Sequence, residues 1–99
     1  MRIFKILSVC GTGIATSTMV SETCKRLLSE RGIQCTVQEC RVMEVEASAD
    51  IFNPDIIIHT AEVSADKVPN IKKFRALQFL TGVGDTALAD EIAAYLKTL

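Results

Sequence analysis

The sequence predicts a small α/β fold: a three-layer sandwich with a four-stranded parallel sheet in the order 2-1-3-4, of the Rossmann-like or flavodoxin-like type. Two continuous apolar runs, around residues 3–9 and 55–59, are typical of strands buried on both faces. Strand and helix patterns alternate along the chain, which favours a parallel sheet with right-handed crossovers. With 99 residues, we expect one domain covering residues 1–99.

The first strand is predicted over Ile3–Val9, which is rich in apolar and β-branched residues. From about Ile14 the period becomes helical, and Gly32 is a natural C-terminal stop for that helix. One side of the helix is expected to face the core. Its predicted members are Met19, Val20, Thr23, Cys24 and Leu27.

The second strand is predicted over Ile33–Glu39, where apolar and polar residues alternate strictly. Such alternation indicates an edge strand or one with a solvated face. A short helix is predicted over Val42–Ala49, and Asn53-Pro54 should end it. The run Asp55–His59 then predicts a central third strand.

The last third of the chain is predicted to contain a loop, a strand and a helix. Residues 61–75 are mostly polar and suggest a loop, and Leu77–Leu80 suggests a short fourth strand. Asp85 follows a glycine-rich turn and is a candidate cap for the final helix. The apolar stripe of that helix is predicted to comprise Leu88, Ile92, Tyr95 and Leu99.

Composition excludes several classes of function. With 11 basic and 12 acidic residues, the net charge of -1 gives no basic face for nucleic acid. No apolar run reaches the roughly 20 residues that a membrane span needs, and the start does not resemble a signal peptide. We therefore expect a soluble, cytoplasmic protein.

The sequence has four cysteines but no CxxC pair, and it has a single histidine. The usual zinc spacings are therefore missing, and we expect no metal and four free thiols.

The segment after the first strand carries the chemistry. Cys10 stands at its head, and glycines and hydroxyl residues lead into a helix. Glycines let the backbone turn its N–H groups toward an anion, and the helix N-terminus adds unpaired donors and partial positive charge. The sequence therefore predicts a phosphate cradle. Its candidate members are Gly11, Thr12, Gly13, Ile14, Ala15, Thr16, Ser17 and Thr18.

Cys10 is the candidate catalytic residue. A free thiol has a pKa of about 8.5, and a helix N-terminus lowers it by favouring the thiolate, which is the nucleophile. The position of Cys10 ahead of this loop thus combines an activated nucleophile with a binding site for the group that it would accept. That group should be a phosphoryl group.

Other functions of this loop stay open. The glycines could simply make a tight βα turn. The sequence lacks the third glycine of the dinucleotide-binding fingerprint at the expected place. It also lacks the Lys-Ser/Thr pair of a Walker loop. Cysteine phosphatases carry Cys, five residues, then Arg, and here that position is Thr16. Without the hydrolytic arginine, phosphoryl relay follows more naturally than hydrolysis. A phosphatase-like hydrolase and a non-catalytic, anion-binding regulatory domain remain alternatives.

At these residues the sequence resembles the enzyme IIB components of phosphotransferase systems (PTS), of the galactitol family. The matching pieces are the Cys10 loop with Ala15–Met19, the tripeptide Cys40-Arg41-Val42, and Phe79–Gly84. The resemblance extends over nearly the whole chain. Lactose and cellobiose IIB proteins share the architecture and the cysteine.

The resemblance implies a two-step relay. Cys10 would take a phosphoryl group from the phosphohistidine of a IIA protein. It would pass the group to a sugar or polyol, with galactitol as the expected substrate, presented by the membrane-embedded IIC permease. The protein would then be cytoplasmic and would associate with the inner face of the membrane through IIC. No metal, nucleotide or other cofactor is implied.

Several residues outside the loop are candidates for structural or functional roles. Cys24 and Cys35 are expected to fill the core, whereas Cys40 could be structural or form a redox pair with Cys10. Arg41, at the rim, is a candidate partner-docking residue or a solvated charge. His59 ends the third strand; it could influence the site electrostatically, but it is expected to be a hydrogen-bonded structural residue. A basic stretch could be a solvated face or a docking surface. Its members are Lys67, Lys72, Lys73 and Arg75.

Overall fold

A computed structural model of the chain describes residues 3–10, 14–61, 63 and 68–99, with only the backbone described at position 10 and positions 14–18. Four strands and four helices occupy this part of the chain. In order they are β1 (Ile3–Cys10), α1 (Ile14–Glu30), β2 (Gln34–Arg41), α2 (Val45–Phe52), β3 (Ile56–His59), β4 (Lys72–Arg75), α3 (Leu77–Thr81) and α4 (Asp85–Leu96). A single 3-10 turn, Val42–Glu44, precedes α2.

The four strands form one parallel sheet in the order β2-β1-β3-β4. This confirms the predicted fold class and strand order. Adjacent parallel strands in the sheet are joined by crossover connections, because a hairpin cannot join parallel strands. Strand β1 therefore lies inside the sheet, with β2 on one side and β3 on the other.

Both faces of the sheet are covered, as a three-layer sandwich requires. On one face, Ile6, Ile56 and Ile58 pack with the apolar sides of α1, α3 and α4. On the other face, Leu7 and Ile57 pack with α2. Neighbouring residues of β1 and β3 therefore enter opposite cores, which explains why these two strands are continuously apolar.

Strand β2 lies at one edge of the sheet, as its alternating pattern predicts. Cys35, Val37 and Cys40 are half-buried, while the residues between them are exposed. The strand continues two residues beyond the predicted Glu39, to Arg41, because it pairs with β1 along its whole length.

Helix α1 buries Val20, Cys24 and Leu27, in agreement with the predicted stripe. The prediction was wrong for Met19, which is 54% exposed. Each residue turns about 100° around a helix axis, so Met19 falls on the flank of the stripe rather than on it. The helix ends where Gly32, at φ 76°, takes the left-handed conformation that favours glycine.

Helix α2 starts and ends three residues later than the predicted Val42–Ala49. The segment Val42–Glu44 forms the 3-10 turn instead. Asn53 adopts the left-handed conformation (φ 52°, ψ 61°) and donates its N–H to the Ala49 carbonyl, which closes the helix. Asn53-Pro54 is therefore the helix end that the sequence predicts.

The fourth strand was predicted in the wrong place. It is Lys72–Arg75, inside the segment predicted as a loop, and Leu77–Thr81 forms α3 instead. An edge strand of four residues has little to bury, and only Phe74 is buried here. Five residues such as Leu77–Thr81 are too few for a helical and an extended period to be distinguished. The Phe74 ring packs edge-on against Tyr95 of α4, with centroids 5.9 Å apart.

Helix α4 begins at Asp85 with Gly84 as the N-cap residue, so Asp85 lies one position inside the predicted cap. Its Oδ1 accepts the Thr86 N–H at 2.8 Å, which still satisfies one free donor of the first turn. Leu88 and Ile92 are buried as predicted. Leu99 lies beyond the helix end and is 51% exposed, so it does not belong to the stripe.

Replacing a buried isoleucine by valine should lower stability far more than the same change at an exposed isoleucine. We expect Ile57→Val to lower the free energy of unfolding by about 0.5–1.5 kcal/mol, because a methylene group is lost from a fully buried site. Ile51→Val is the matched control, since Ile51 is 83% exposed, and it should change by less than about 0.5 kcal/mol. Urea unfolding followed by circular dichroism measures both. Equal losses would contradict the assignment of β3 to the core.

Candidate functional site

The carboxyl ends of β1 and β2 bring the two predicted site residues Cys10 and Arg41 side by side. They are the last residues of their strands, and their Cα atoms are partners in the parallel register. Neighbouring strands lie about 4.8 Å apart. The sheet therefore places a positively charged residue on the strand next to the cysteine, as the predicted order requires.

Helix α1 starts at Ile14, four residues after Cys10. Of the predicted cradle, the loop residues Gly11, Thr12 and Gly13 lie outside the described residues. The other five form the first helical residues; they are Ile14, Ala15, Thr16, Ser17 and Thr18.

The N-terminus of α1 is electrically positive, and its own first turn does not neutralise it. The first four N–H groups of an α-helix have no partner within the helix. Asp and Glu are common in the first turn of helices, yet Ile14–Ser17 contains neither. The end of α1 therefore suits an anion supplied from outside the helix.

The backbone at Arg41 is fixed by the residue that ends the following turn. The Arg41 N–H donates to Glu44 Oε1 at 3.1 Å, which holds the chain where β2 passes into Val42–Glu44. The Arg41 side chain is exposed. Its guanidinium is thus presented to solvent from a fixed point beside the end of β1.

His59 ends β3 on the other side of β1, where the sequence places it. It is the register partner of Val9, and the Thr60 N–H donates to the Val9 carbonyl at 3.1 Å. The His59 Nδ1 lies 2.8 Å from the Ala61 carbonyl oxygen, which only accepts, so Nδ1 carries the proton. This agrees with the prediction of a hydrogen-bonded structural histidine.

Arg75 belongs to the predicted basic stretch, but its position at the end of a strand was not predicted. It is the last residue of β4, is exposed, and pairs in register with His59. The sequence predicts a loop at Arg75, because the fourth strand is predicted over Leu77–Leu80. The missed signal was Phe74, a single large apolar residue among cations, which is typical of a short edge strand. Arg75 therefore lies on the same side of the sheet as Cys10, at the carboxyl end of a strand two positions away.

The structure confirms that Cys24 packs in the core, and Cys35 packs against the same core cluster while remaining half-exposed. Cys24 donates a hydrogen bond to Cys35. That bond and burial raise the pKa of the Cys24 thiol far above its ordinary value. The same bond, aided by Lys25, lowers the pKa of Cys35 although partial burial opposes this.

Cys40 belongs to the other face of the sheet. It is the register partner of Val9 and packs against the cluster that contains Leu7 and Val45. The Cys10 side chain lies outside the described residues, so a Cys10–Cys40 redox pair stays a prediction.

The part of the chain that the structure describes contains neither a metal-binding cluster nor a membrane-spanning helix. Among 3–10, 14–61, 63 and 68–99, no group of three or more His, Cys, Asp or Glu is placed to hold a metal ion. Within the same ranges, no helix has the length and apolar character needed to cross a membrane.

Comparison with known families defines the class of protein. Residues 5–98 match the family described as "PTS system, Lactose/Cellobiose specific IIB subunit". The chain belongs to this family of PTS IIB subunits, which are phosphotransferases.

Curated relatives place it more narrowly. The phosphotransferase enzyme IIB component SgcB of Escherichia coli K12 is 34% identical over 92 residues, covering 93% of this chain and 96% of the relative. The galactitol-specific EIIB component of the same organism is 33% identical over 93 residues, covering 94% and 96%. The predicted resemblance to galactitol-type IIB components is therefore confirmed.

Solved structures support the fold. An enzyme IIB subunit of a PTS from Escherichia coli K12 superimposes with a TM-score of 0.61 at 17% identity, covering 99% of this chain and 97% of the other. The lactose-specific IIB domain of Streptococcus pneumoniae gives 0.57 at 15% identity, covering 98% and 97%. At these identities the likeness concerns the flavodoxin-like fold alone.

Proposed function

We propose that Cys10 of this IIB subunit accepts a phosphoryl group from the phosphohistidine of a IIA protein and passes it to a polyol presented by a membrane-embedded IIC permease. One observation carries the proposal. The chain belongs to a phosphotransferase family, and its strand β1 ends in a cysteine. This residue, Cys10, stands four residues before the N-terminus of α1 and pairs in register with Arg41.

In the first step the Cys10 thiolate attacks the phosphorus atom of phosphohistidine. A sulfur–phosphorus bond forms, the nitrogen–phosphorus bond breaks, and the ring nitrogen keeps the electron pair and takes up a proton from solvent, so that neutral imidazole leaves. Negative charge on the equatorial oxygens must be stabilised throughout, and this is most of what phosphoryl transfer requires of a protein. The N–H groups at the start of α1 and the cradle residues 11–18 supply that stabilisation in this proposal.

In the second step a hydroxyl oxygen of the polyol attacks phosphorus, and the sulfur–phosphorus bond breaks. The thiolate leaves, and the hydroxyl proton passes to a base of the IIC site or to solvent. Thiolate is a good leaving group here because its negative charge is stabilised at the helix N-terminus, which also raises the fraction of Cys10 present as thiolate. The cycle consumes no metal or nucleotide.

Thr16 favours relay over hydrolysis. It stands where cysteine phosphatases have the arginine that stabilises the transition state of hydrolysis. A phosphocysteine formed here would persist until IIC presents an acceptor. Docking to IIC would also hold the protein at the inner, cytoplasmic face of the membrane.

Galactitol is the proposed substrate because of the curated relatives. Galactitol-specific EIIB components from Escherichia coli K12, Escherichia coli O157:H7 and Shigella flexneri are 33–34% identical to this chain. The family description itself names lactose and cellobiose, so these two disaccharides are the competing substrates.

Cys10→Ser should abolish phosphorylation by a phosphohistidine donor chain, whereas Cys40→Ser should not. Serine lacks a nucleophile of low pKa, and Cys40 packs against the core on the α2 side. Intact mass after incubation with the donor measures the adduct. We expect one phosphate on the wild type and on Cys40→Ser, and none on Cys10→Ser. A phosphate adduct on the Cys10→Ser variant would refute the assignment of Cys10 as the phosphoryl acceptor.

Arg41→Ala should slow phosphoryl transfer from IIA, because the exposed guanidinium attracts the negatively charged phosphohistidine partner. We expect the second-order rate constant to fall about three- to tenfold at low salt, and the difference to vanish at high salt. Arg26→Ala is the matched control, since Arg26 is exposed about 18 Å along α1 from Ile14. Equal effects of the two variants would mean that net charge, not position, matters.

Isolated phospho-Cys10 should lose little phosphate to water, and transfer should require both IIC and the polyol. Phosphorylated protein is mixed with membrane vesicles that contain the cognate IIC and with galactitol, lactose or cellobiose; vesicles without IIC serve as the control. Galactitol phosphate is the expected product. Rapid release of inorganic phosphate without vesicles would favour the hydrolase, and transfer only to a disaccharide would refute galactitol.

A further inference from the structure

Two cysteines form a second cluster that is distant from Cys10. Cys24 lies ten residues into α1, about 15 Å from the helix start. Cys35 is the second residue of β2, six residues and about 20 Å before Arg41. The phosphoryl relay proposed above uses neither residue.

The two thiols differ in access. Cys24 is fully buried in the core cluster, and Cys35 packs against that cluster while remaining half-exposed. Cys35 also lines an open cavity of about 310 Å³ together with Lys25, Ser29 and Thr36. A small reagent in solvent therefore reaches Cys35 directly, whereas Cys24 is buried and does not line this cavity.

The chemistry of the two sulfurs is complementary. Cys24 is fully buried, whereas Cys35 is half-exposed and lines an open cavity with Lys25, so the Cys35 sulfur is the one placed to hold negative charge. Lys25 is the charged residue beside it and further stabilises the thiolate. Thiolate character together with access to solvent determines which cysteines react with oxidants.

We propose that Cys24 and Cys35 form a peroxide-reactive thiol pair that closes a disulfide bond between α1 and β2. Cys35 is the attacking residue and Cys24 the resolving residue. The pair is a modification site separate from the phosphoryl-accepting cysteine.

The reaction balances with one molecule of hydrogen peroxide. The Cys35 thiolate attacks one peroxide oxygen, the O–O bond breaks, and hydroxide leaves and takes a proton from solvent. Cys35 becomes a sulfenic acid. The Cys24 sulfur then attacks the Cys35 sulfur, the S–O bond breaks, and the leaving hydroxide takes up the Cys24 proton. Two thiols are oxidised to one disulfide, and one peroxide is reduced to two waters.

The test uses a Cys10→Ser/Cys40→Ser variant, in which only the proposed pair remains, alongside the wild type. Both are treated with hydrogen peroxide at neutral pH under native conditions. We expect the intact mass of the double variant to fall by two hydrogen atoms and both thiols to be lost. Peptide mapping should show a Cys24–Cys35 cross-link in the wild type as well.

Single replacements assign the two roles. Adding Cys24→Ser to the double variant should leave a Cys35 sulfenic acid that a dione probe traps. Adding Cys35→Ser should slow oxidation of the remaining thiol at least about tenfold, because Cys24 is buried. Circular dichroism checks that each variant is folded.

Two results would overturn the proposal. One is oxidation of the folded double variant without a Cys24–Cys35 cross-link. The other is a wild-type cross-link that joins Cys10 to Cys40 while Cys24 and Cys35 stay reduced.

Discussion

The burial of β1 on both faces is the constraint on which the rest of the structure depends. Ile6, Leu7 and Val9 are fully buried, and they enter two different cores. A strand of this kind needs a strand on each side and a helix layer above and below. Its carboxyl end is then where the chain leaves the sheet. Cys10 occupies that point, so the position of the candidate nucleophile follows from the way the core is built.

The parallel sheet also places positively charged residues together at the carboxyl ends of its strands. The carboxyl ends of parallel strands all lie on the same side of the sheet, so Arg41 and Arg75 lie on the side where Cys10 ends β1. The N-terminus of α1 adds its partial charge there. The chain as a whole carries a net charge of -1, so these positive groups do not reflect an overall basic composition. Phosphoryl transfer between proteins needs such an arrangement, because the group carries its charge through both the encounter and the transition state.

Most of the fold could be predicted from the sequence because the central strands have strong patterns. The continuous apolar runs of β1 and β3 identify the inner strands, and the alternation in β2 identifies an edge. The other edge strand, Lys72–Arg75, carries almost no pattern, since Phe74 is its only buried residue. Its stability comes from pairing with β3 and from the packing of Phe74 on Tyr95, which are contacts distant in sequence.

The candidate site was predictable to the same extent. Cys10 and Arg41 end strands that the sequence identifies, so their proximity could be inferred from strand order. Arg75 could not be placed, because its strand was assigned to other residues. The apolar faces of α1 and β2 were both predicted, which put Cys24 and Cys35 in the core. Their mutual contact depends on how the helix is positioned over the strand, and local periodicity does not contain that information.

Two cysteines of one β1–α1–β2 unit are proposed to react as thiolates, and their surroundings explain why the reactions differ. Cys35 is stabilised by a single thiol donor and by Lys25, and the core lies directly behind it. Such a site can stabilise the charge of one sulfur, but Cys35 lies in a strand and does not precede a helix N-terminus. Cys10 precedes a helix N-terminus and lies beside an arginine, so donors are available for the incoming group as well as for the sulfur. A lowered thiol pKa is therefore sufficient for reaction with a small neutral oxidant, whereas accepting a dianionic group requires an environment that also binds the group.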